Sequence, residues 1–418
     1  MQTIKRDIYL NRLIERKENG SIKVVTGIRR CGKSYLLFNL YYDYLLSCGI
    51  GADRIIKIAL DDEDAESLTD AKALSAFIKE RIKDDGVYYV FLDEIQFVKD
   101  FERVLNGLNR LPNVDIYVTG SNSKFLSSDI LTEFRGRGDE VRVHPLCFAE
   151  YVSAYQGSVP DAWNDYFTYG GLPQILTRST DELKTQYLTN LFQTVYLADI
   201  IDRNKIRAKE TIDALVNVLA SSVGSLTNPR KLAATFAHFG DKEVTDKTIR
   251  AFLDYLTDSF LINKAERYDI KGKKYIASPY KYYFEDVGLR NARLNFRQQE
   301  ENHIMENIIY NELRVRGYNV DVGIIDCYDK DELEKRVLKR REVDFVCNKG
   351  SKRYYVQSAF ALPDAEKMTQ EKTSLVRIKD SFKKIIVVKD NIKLWRTEEG
   401  IAIMGLHEFL LNQNSLDL

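Results

Sequence analysis

The stretch "GIRRCGKS" at residues 27–34 constrains the fold of this chain more than any other feature. It fits the spacing G-x-x-x-x-G-K-[ST] at every fixed position, and the apolar run "IKVV" precedes it. The segment that follows, "SYLLFNLYYDYLL", is typical of a helix. Two glycines in such a loop let backbone N–H groups turn inward around a phosphate, and the helix that starts near Lys33 adds the positive end of its dipole. The pattern therefore predicts a phosphate-binding loop between a strand and a helix of an α/β domain.

Two side chains of this loop are expected to meet the phosphates of a nucleoside triphosphate and its metal. Lys33 would reach the β- and γ-phosphates, and Ser34 would ligate Mg²⁺. The alternative is a glycine turn that happens to precede a helix, but the strand and helix on either side favour nucleotide binding. The residues predicted to contact the nucleotide are Gly27, Ile28, Arg29, Arg30, Cys31, Gly32, Lys33, Ser34 and Tyr35.

A second segment, "VYYVFLDEIQ" at 87–96, contains a continuous apolar run that predicts a buried parallel strand. Its two acids come at the C-terminal end, which is the end where open α/β sheets bind ligands. We expect Asp93 to hold Mg²⁺ through water and Glu94 to orient or polarise the attacking water. The alternative is a strand that ends in two solvated acids, but the phosphate loop upstream favours the catalytic interpretation.

A third strand is predicted in "VDIYVTGSNS" at 114–123, and it ends in small polar residues. If this strand lies beside the phosphate loop, Ser121 or Asn122 would touch the γ-phosphate or the attacking water. An ordinary helix cap formed by Ser121 or Ser123 is the alternative.

Two arginines follow in a glycine-rich loop, within "EFRGRGDEVRVHPLCFAEY". Either Arg135 or Arg137 would reach the γ-phosphate of a neighbouring subunit and stabilise charge in the transition state. The alternative is a solvated loop arginine.

Composition places few further limits on function. Lys+Arg and Asp+Glu both total 62, so the chain has no global basic signature of nucleic-acid binding, although a local basic face is compatible with this balance. The five scattered cysteines are interpreted as reduced thiols. The first residues lack the apolar core of a signal peptide, and no apolar run is long enough to span a membrane. We therefore expect a cytoplasmic protein with two to four domains.

Together, the phosphate loop, "FLDEIQ", "VTGSNS" and "GRGDEVRVHPLCFAEY" resemble the AAA+ ATPase domain of a large prokaryotic family of ATP-binding proteins. The resemblance implies strand order 5-1-4-3-2, with Asp93 and Glu94 as the metal and water site. It also implies that the sensor follows the fourth strand, here Asn122, and that Arg137 is the family's arginine before "PL". Farther on, "YGGLP" at 169–173 resembles the Gly-x-Pro of a helical lid that contacts the nucleotide base or ribose. The resemblance assigns Gly171 and Pro173 to this lid. By chemistry alone these two would be only a turn.

The middle of the chain predicts a helical lid at about 156–204 and a winged helix-turn-helix at about 205–290. The amphipathic helix in "EVTDKTIRAFLDYLTDSFLI" would carry Lys247 and Arg250 toward a DNA groove. The alternative is a winged helix used for protein contacts, because the same helix carries acids that phosphates would repel. Three lysines are predicted on the wing: Lys271, Lys273 and Lys274.

The segment "KYYFEDVGLRNARL" at 281–294 resembles a string that follows the winged helix in the same family. Its chemistry does not follow from the residues. Tyr282, Tyr283 and Phe284 are interpreted as packing residues rather than as a site.

The last part, 291–418, predicts a helix and strands in an order that resembles the restriction-endonuclease-like fold. In that fold an acid, here Asp344, and an (Asp/Glu)-x-Lys motif bind Mg²⁺, with a helical glutamate, here Glu306. The motif positions read Gln357, Ser358 and Ala359, so the second acid and the lysine are missing. We therefore expect a nuclease-like scaffold without cleavage activity that recognises nucleic acid or a protein.

These features together predict an α/β chain in which a parallel P-loop sheet domain at about 1–155, a helical lid, a winged helix-turn-helix and a nuclease-like domain follow one another. The leading hypothesis is an ATPase that uses ATP and Mg²⁺ to switch the arrangement of its later modules. A nucleotide-gated signalling switch with little turnover is the main alternative, and an active DNA nuclease is the third. Expected partners are ATP and ADP, DNA through the winged helix, a protein partner or further copies of the chain, with no membrane.

Overall fold

The computed structural model describes residues 3–120, 134, 136–238, 244–297, 300–330, 336–361 and 365–418. The side chains of residues 328–330, 336 and 365 fall outside that description. The chain divides into two compact units. The first comprises Met1–Pro145, Leu172–Gln174 and Asp258–Phe260, and the second comprises Leu146–Gly171, Ile175–Thr257 and Leu261–Leu418.

The first unit is built on a five-stranded sheet with order β2-β3-β4-β1-β5, in which every neighbouring pair is parallel. This order, counted from the other edge, is the 5-1-4-3-2 that the family resemblance implied. All residues of β1 and β3 are buried, as their continuous apolar runs predicted. The strands are β1 (Ile22–Thr26), β2 (Ile55–Ala59), β3 (Tyr88–Asp93), β4 (Val114–Thr119) and β5 (Gly138–Arg142).

Helices flank this sheet and fill the crossovers that parallel strands require. The helix after the phosphate loop runs without a break through three stretches, of which the middle one is π-helical: Lys33–Tyr35, Leu36–Tyr41 and Tyr42–Ser47. Among the residues that the structure describes, the unit also has the helices Asp7–Ile14, Ala71–Arg81 and Phe101–Leu108, with 3₁₀ turns at Ala52–Arg54, Glu63–Thr69 and Ile95–Phe97.

The second unit contains a mixed nine-stranded sheet with order β13-β14-β12-β11-β10-β9-β7-β8-β6. The pairs β7/β9, β11/β12 and β12/β14 are parallel, and the others are antiparallel. The strands are β6 (Leu226–Thr227), β7 (Ile262–Asp269), β8 (Lys274–Phe284), β9 (Asn319–Lys330), β10 (Arg336–Lys349), β11 (Lys352–Ala359), β12 (Lys383–Val388), β13 (Trp395–Arg396) and β14 (Ala402–Gly405).

The helices of the second unit follow the predicted order. Two helices, Pro229–His238 and Asp246–Asp258, precede the β7–β8 hairpin, which is the sequence of elements expected for a winged helix-turn-helix. The other described helical segments are Phe148–Ala154, Val159–Tyr169, Asp181–Asn190, Leu191–Leu197, Ala198–Arg203, Lys209–Ser221, Val287–Arg293, Glu301–Val315, Ala365–Val376, Leu406–Leu411 and Ser415–Asp417. The 3₁₀ segment Pro173–Thr177 begins in the first unit and ends in the second.

One feature of this sheet was not predicted from the sequence. The hairpin β7–β8 lies in the same sheet as β9 to β14, because β7 pairs in parallel with β9 between Arg267↔Val322 and Asp269↔Ile324. The strands of the expected winged helix and of the expected nuclease-like domain are therefore continuous. The four domain boundaries given above stay a prediction.

Within the described ranges, no helix combines the length and apolarity that crossing a bilayer requires. All five cysteines are free thiols. The cytoplasmic location stays a prediction from the sequence.

Candidate nucleotide-binding site

The backbone of the loop at 27–34 adopts the shape that its glycines predict. Gly27, Arg30 and Gly32 have φ values of 140°, 64° and 98°. A methyl group on Gly27 would lie 2.1 Å from the carbonyl oxygen of Val143, so the first glycine allows the ends of β1 and β5 to approach. The loop is therefore fixed against the neighbouring strand on one side.

The Lys33 side chain lies inside this loop. It is buried, and its ammonium donates to the carbonyl oxygens of Gly27 (3.0 Å) and Ile28 (3.2 Å). These acceptors are neutral, whereas phosphate oxygens carry negative charge and would add an ionic attraction to the hydrogen bond. A phosphate entering the loop would therefore compete well for the ammonium.

The predicted metal ligands also lie together. Asp93, the last residue of β3, is buried and forms side-chain hydrogen bonds with Ser34 and with Thr119, the last residue of β4. Burial raises the pKa of Asp93 above its usual value, and these hydrogen bonds oppose that rise. The arrangement brings a hydroxyl and a carboxylate oxygen, which are hard ligands suited to Mg²⁺, to the same point beside the loop.

Glu94 follows in a left-handed backbone conformation, with φ 49° and ψ 48°. Its amide donates to the hydroxyl of Thr119 (3.1 Å), and its carboxylate accepts from Gln96. Thr119 thus touches both Asp93 and the backbone of Glu94. Sequence reasoning looked for a polar contact two and three residues farther on and missed Thr119, although "VDIYVT" already ends in this hydroxyl.

Arg6 is a second residue that the sequence did not reveal. It is 4% exposed, and its guanidinium donates to the carbonyl oxygens of Cys31 (3.0 Å) and His144 (2.6 Å). Cys31 belongs to the phosphate loop, and its thiol also lies 3.4 Å from the carbonyl of Val143. Arg6 therefore links the loop to the segment after β5, and no spacing rule could have identified an arginine outside the motif.

The remaining residues predicted around the loop differ in exposure. Arg30 and Tyr35 are exposed, and Arg29 is half-buried. Pro173 lies beside the loop, because its Cγ is 3.9 Å from the position of a methyl group on Gly32.

The residues expected to sense the γ-phosphate are only partly described. Arg137 is exposed, and its carbonyl accepts from the amide of Ile22 at 2.8 Å. Ser121, Asn122 and Arg135 lie outside the described residues. Their roles, and that of Arg137, stay predictions.

Gly171, which the family resemblance assigned to the lid, is enclosed within the second unit. Its amide donates to Asp286 (2.7 Å), and its carbonyl accepts from the amide of Leu146 (2.8 Å). A methyl group at Gly171 would lie 2.2 Å from the carbonyl oxygen of Leu146. Packing therefore explains this glycine, and its contact with a nucleotide stays a prediction.

Asp286 belongs to the family-specific string at 281–294, which joins several parts of the second unit. Its other carboxylate oxygen accepts from the amide of Leu289 (3.0 Å) and caps the helix Val287–Arg293. In that helix Arg290 donates to the carbonyl of Ala220 (2.7 Å), and Asn291 donates to the carbonyl of Thr168 (2.9 Å).

The aromatic part of the same string is buried, as the packing interpretation predicted. Phe284 exchanges two hydrogen bonds of 2.8 Å with the side chain of Asn307. Tyr283 stacks on Tyr310 with ring centroids 4.2 Å apart. The string is therefore a structural junction between the helix Glu301–Val315 and the preceding segments.

The nuclease-like residues are also brought together. Asp344 lies on β10, buried, and interacts electrostatically with Glu306. Its amide donates to the side chain of Gln357 (3.3 Å), and its carboxylate accepts from the amide of Ser358 (2.8 Å). The spacing in the sequence therefore identified a genuine cluster.

Comparison with known proteins identifies relatives of the whole chain. A family model described as an AAA domain matches residues 19–152, and a domain of unknown function (DUF8612) matches residues 160–300. An uncharacterized protein of Haemophilus influenzae is 33% identical over 416 residues, covering 98% of both chains. An uncharacterized protein of Methanocaldococcus jannaschii is 28% identical, covering 91% of this chain and 82% of its own.

Among solved structures there are distant matches. The Aeropyrum pernix ORC1 protein, solved in complex with DNA, aligns with a TM-score of 0.30 and 13% identity, over 70% of this chain and 92% of its own. A TM-score and a sequence identity this low do not support a conclusion about function.

We predict that Arg6→Ala weakens triphosphate binding by about 10- to 100-fold, because two carbonyl groups beside the loop lose a buried charged donor. Calorimetry measures the affinity, and hydrogen exchange of the peptide covering 27–34 should accelerate. Arg12→Ala, within the helix Asp7–Ile14 that Arg6 precedes, is the control and should change neither. Unaltered affinity and exchange in Arg6→Ala would show that Arg6 does not position the loop.

The second prediction concerns pH and Asp286. Burial, opposed by three backbone hydrogen bonds, raises the pKa of Asp286 to about 6. Because the folded pKa exceeds the unfolded value, the contribution of this group to stability is complete below about pH 4 and is lost as the pH rises through about 6. Denaturation of the full chain, followed by the fluorescence of Trp163 and Trp395 in the second unit, measures this loss.

Asp286→Asn should be less stable throughout, because the amide nitrogen cannot accept from a backbone N–H. Its stability should, however, change less than that of the wild type between pH 4 and 6. If the stability of the two proteins changed equally between pH 4 and 6, the pH dependence could not be attributed to Asp286.

Proposed function

The chain belongs to the prokaryotic family of AAA+ ATP-binding proteins, and on this premise we propose that it is an ATPase. It hydrolyses ATP with Mg²⁺ and thereby switches the arrangement of a winged-helix and nuclease-like module, with DNA as the candidate partner. The observation that carries the proposal is the convergence of Lys33, Ser34, Asp93 and Glu94 around the phosphate loop.

The chain's own groups account for the steps of hydrolysis. The loop amides and Lys33 bind the β- and γ-phosphates, and Ser34 and Asp93 would hold the metal. Mg²⁺ supplies positive charge against the phosphate oxygens when it is bound. Glu94 orients the attacking water and accepts its proton, while Thr119 fixes Asp93 and the backbone of Glu94 relative to each other.

The fit of these residues to Mg²⁺ rests on their chemistry. Asp93 is a buried carboxylate, and burial raises its pKa above the usual value. A divalent cation would favour its ionised form. Ser34, exposed at the start of the helix, provides the adjacent hydroxyl.

A nucleotide-gated switch with little turnover is the competing function, and Glu94 separates the two. We predict that Glu94→Gln lowers steady-state phosphate release by about 100-fold or more, because a general base contributes on this scale. Its affinity for ATP should remain close to that of the wild type. The exposed Glu66 on the 3₁₀ turn Glu63–Thr69 provides the control Glu66→Gln, with an unchanged rate. Equal, near-zero rates in wild type and Glu94→Gln would favour the switch.

DNA is proposed as partner because the elements follow the winged-helix order and the hairpin turn is basic. Lys273 and Lys274 are exposed at the turn between β7 and β8. Elsewhere the basic face is weaker: Arg250 lies 3.7 Å from Asp246, and Lys271 donates to the carbonyl of Asp326. A protein partner is the alternative.

We predict that duplex DNA binds in a salt-dependent manner and that Lys273→Glu/Lys274→Glu weakens binding. If each lysine contacts one phosphate, the slope of log K against log salt should fall by about 2. Fluorescence anisotropy measures both, and Lys72→Glu/Lys79→Glu, on the helix Ala71–Arg81 of the first unit, is the charge-matched control. No binding, or equal loss in both double variants, would favour protein contacts for the winged helix.

A further inference from the structure

A buried lysine lies at the centre of the nuclease-like acids. Lys281 is 4% exposed, and its ammonium lies 2.9 Å from Oε1 of Glu306 and 2.7 Å from Oε1 of Glu342. Glu342 and Asp344 both lie on β10, and both interact electrostatically with Lys281. This lysine cluster, defined as Lys281, Glu306, Glu342 and Asp344, therefore joins three elements of the second unit.

The continuous sheet explains how Lys281 reaches these acids. Lys281 and Tyr283 lie two positions apart on β8 and share a face, and the Tyr283 hydroxyl donates to Oε1 of Glu306 at 2.6 Å. The string that the sequence could not explain thus supplies both donors. Because β8 and β10 belong to the same sheet, Lys281 and the acids of β10 are parts of one structural element.

Electrostatics favour the charged lysine at this position. Burial alone would lower the pKa of Lys281, but Glu306, Asp344 and Glu342 outweigh it and raise the pKa above its usual value. Burial and the charge of Glu306 raise the pKa of Asp344 well above its usual range.

The same contacts leave a poor site for a divalent cation. Oε1 of Glu306 already accepts from Lys281 and Tyr283, and Asp344 accepts from the amide of Ser358. A methyl group at Gly224 would lie only 3.1 Å from Oε1 of Glu306, so the space beside this carboxylate is narrow. Across the ranges that the structure describes, no group of three or more His, Cys, Asp and Glu is arranged to hold a metal.

We propose that the ammonium of Lys281 takes the place of a divalent cation, so that the nuclease-like acids form a metal-free ion cluster. The cluster fixes the helix Glu301–Val315 to β8 and β10. It binds no Mg²⁺ or Mn²⁺ and cleaves no phosphodiester bond. This inference is independent of ATP hydrolysis at the phosphate loop.

Thermal unfolding of the nucleotide-free full chain tests the proposal, with EDTA, Mg²⁺ or Mn²⁺ present. Both tryptophans, Trp163 and Trp395, lie in the second unit and report its transition. The wild type should give the same Tm in all three conditions. Lys281→Ala should have a lower Tm that Mn²⁺ raises, because three carboxylates then lack their cation and bind the metal in the folded state.

Lys264→Ala is the matched control. Lys264 lies on β7 opposite Tyr282, and its side chain is 36% exposed and paired with Glu266. Its loss should change the Tm little and without metal dependence. If Lys281→Ala does not fold, Lys281→Met/Glu306→Gln removes the cation together with one carboxylate, and this double variant should fold without responding to Mn²⁺.

A nuclease assay on the wild type directly tests the proposal that the protein does not cleave phosphodiester bonds. Supercoiled plasmid incubated with the protein and Mg²⁺ or Mn²⁺ should remain intact. Nicking that disappears in Asp344→Ala, or a rise in the wild-type Tm with Mn²⁺, would overturn the proposal. A Lys281→Ala variant whose Tm equals that of the wild type would also overturn it.

Discussion

The candidate nucleotide site depends on the close approach of Gly27 to Val143. Only a residue without a side chain fits there, because a methyl group would lie 2.1 Å from a carbonyl oxygen. The approach places the loop beside the end of β5, where Arg6 links Cys31 to His144. The loop can then enclose Lys33 between its own carbonyls, next to the acids that end β3.

The second unit depends on a different set of buried contacts, centred on the string at 281–294. Lys281 and Tyr283 bind Glu306, Phe284 binds Asn307, and the residues from 286 to 291 bind the segments near 168–171 and 220. Most of these bonds join a buried polar group on the string to a partner from another element, as burial requires. This arrangement gives a physical reason for a string that carries no recognisable catalytic motif.

The sequence predicted the local features well because local patterns encode them. The spacing of Gly27, Gly32 and Lys33 identified the phosphate loop, and the apolar run before Asp93 identified a buried strand. The spacing between Asp344 and Gln357 in the sequence also placed these two residues on neighbouring strands. The structure pairs these strands as β10 and β11. In each case a short stretch of chain contains the whole signal.

The sequence could not identify contacts that join distant segments. Arg6 bonds to Cys31 and His144, which lie far away in the sequence, and Lys281 contacts Glu306 and Glu342 from a hairpin that joins the sheet through the β7/β9 pair. Thr119 could have been identified from the sequence, because it is the polar residue that ends the predicted strand. The prediction named Ser121 or Asn122 instead, two and three residues later. Such contacts depend on tertiary packing, which the periodicity of apolar residues in the sequence does not predict.

The central claim is that a triphosphate binds where β1 meets the helix starting at Lys33. Isothermal titration calorimetry with ATP and Mg²⁺ on nucleotide-free protein tests it most directly. The account predicts saturable binding with one site per chain, and a loss of affinity of about 100-fold or more in Lys33→Ala, since a charged donor to the phosphates is removed. Absence of binding to the wild type, or equal affinity in Lys33→Ala, would contradict it.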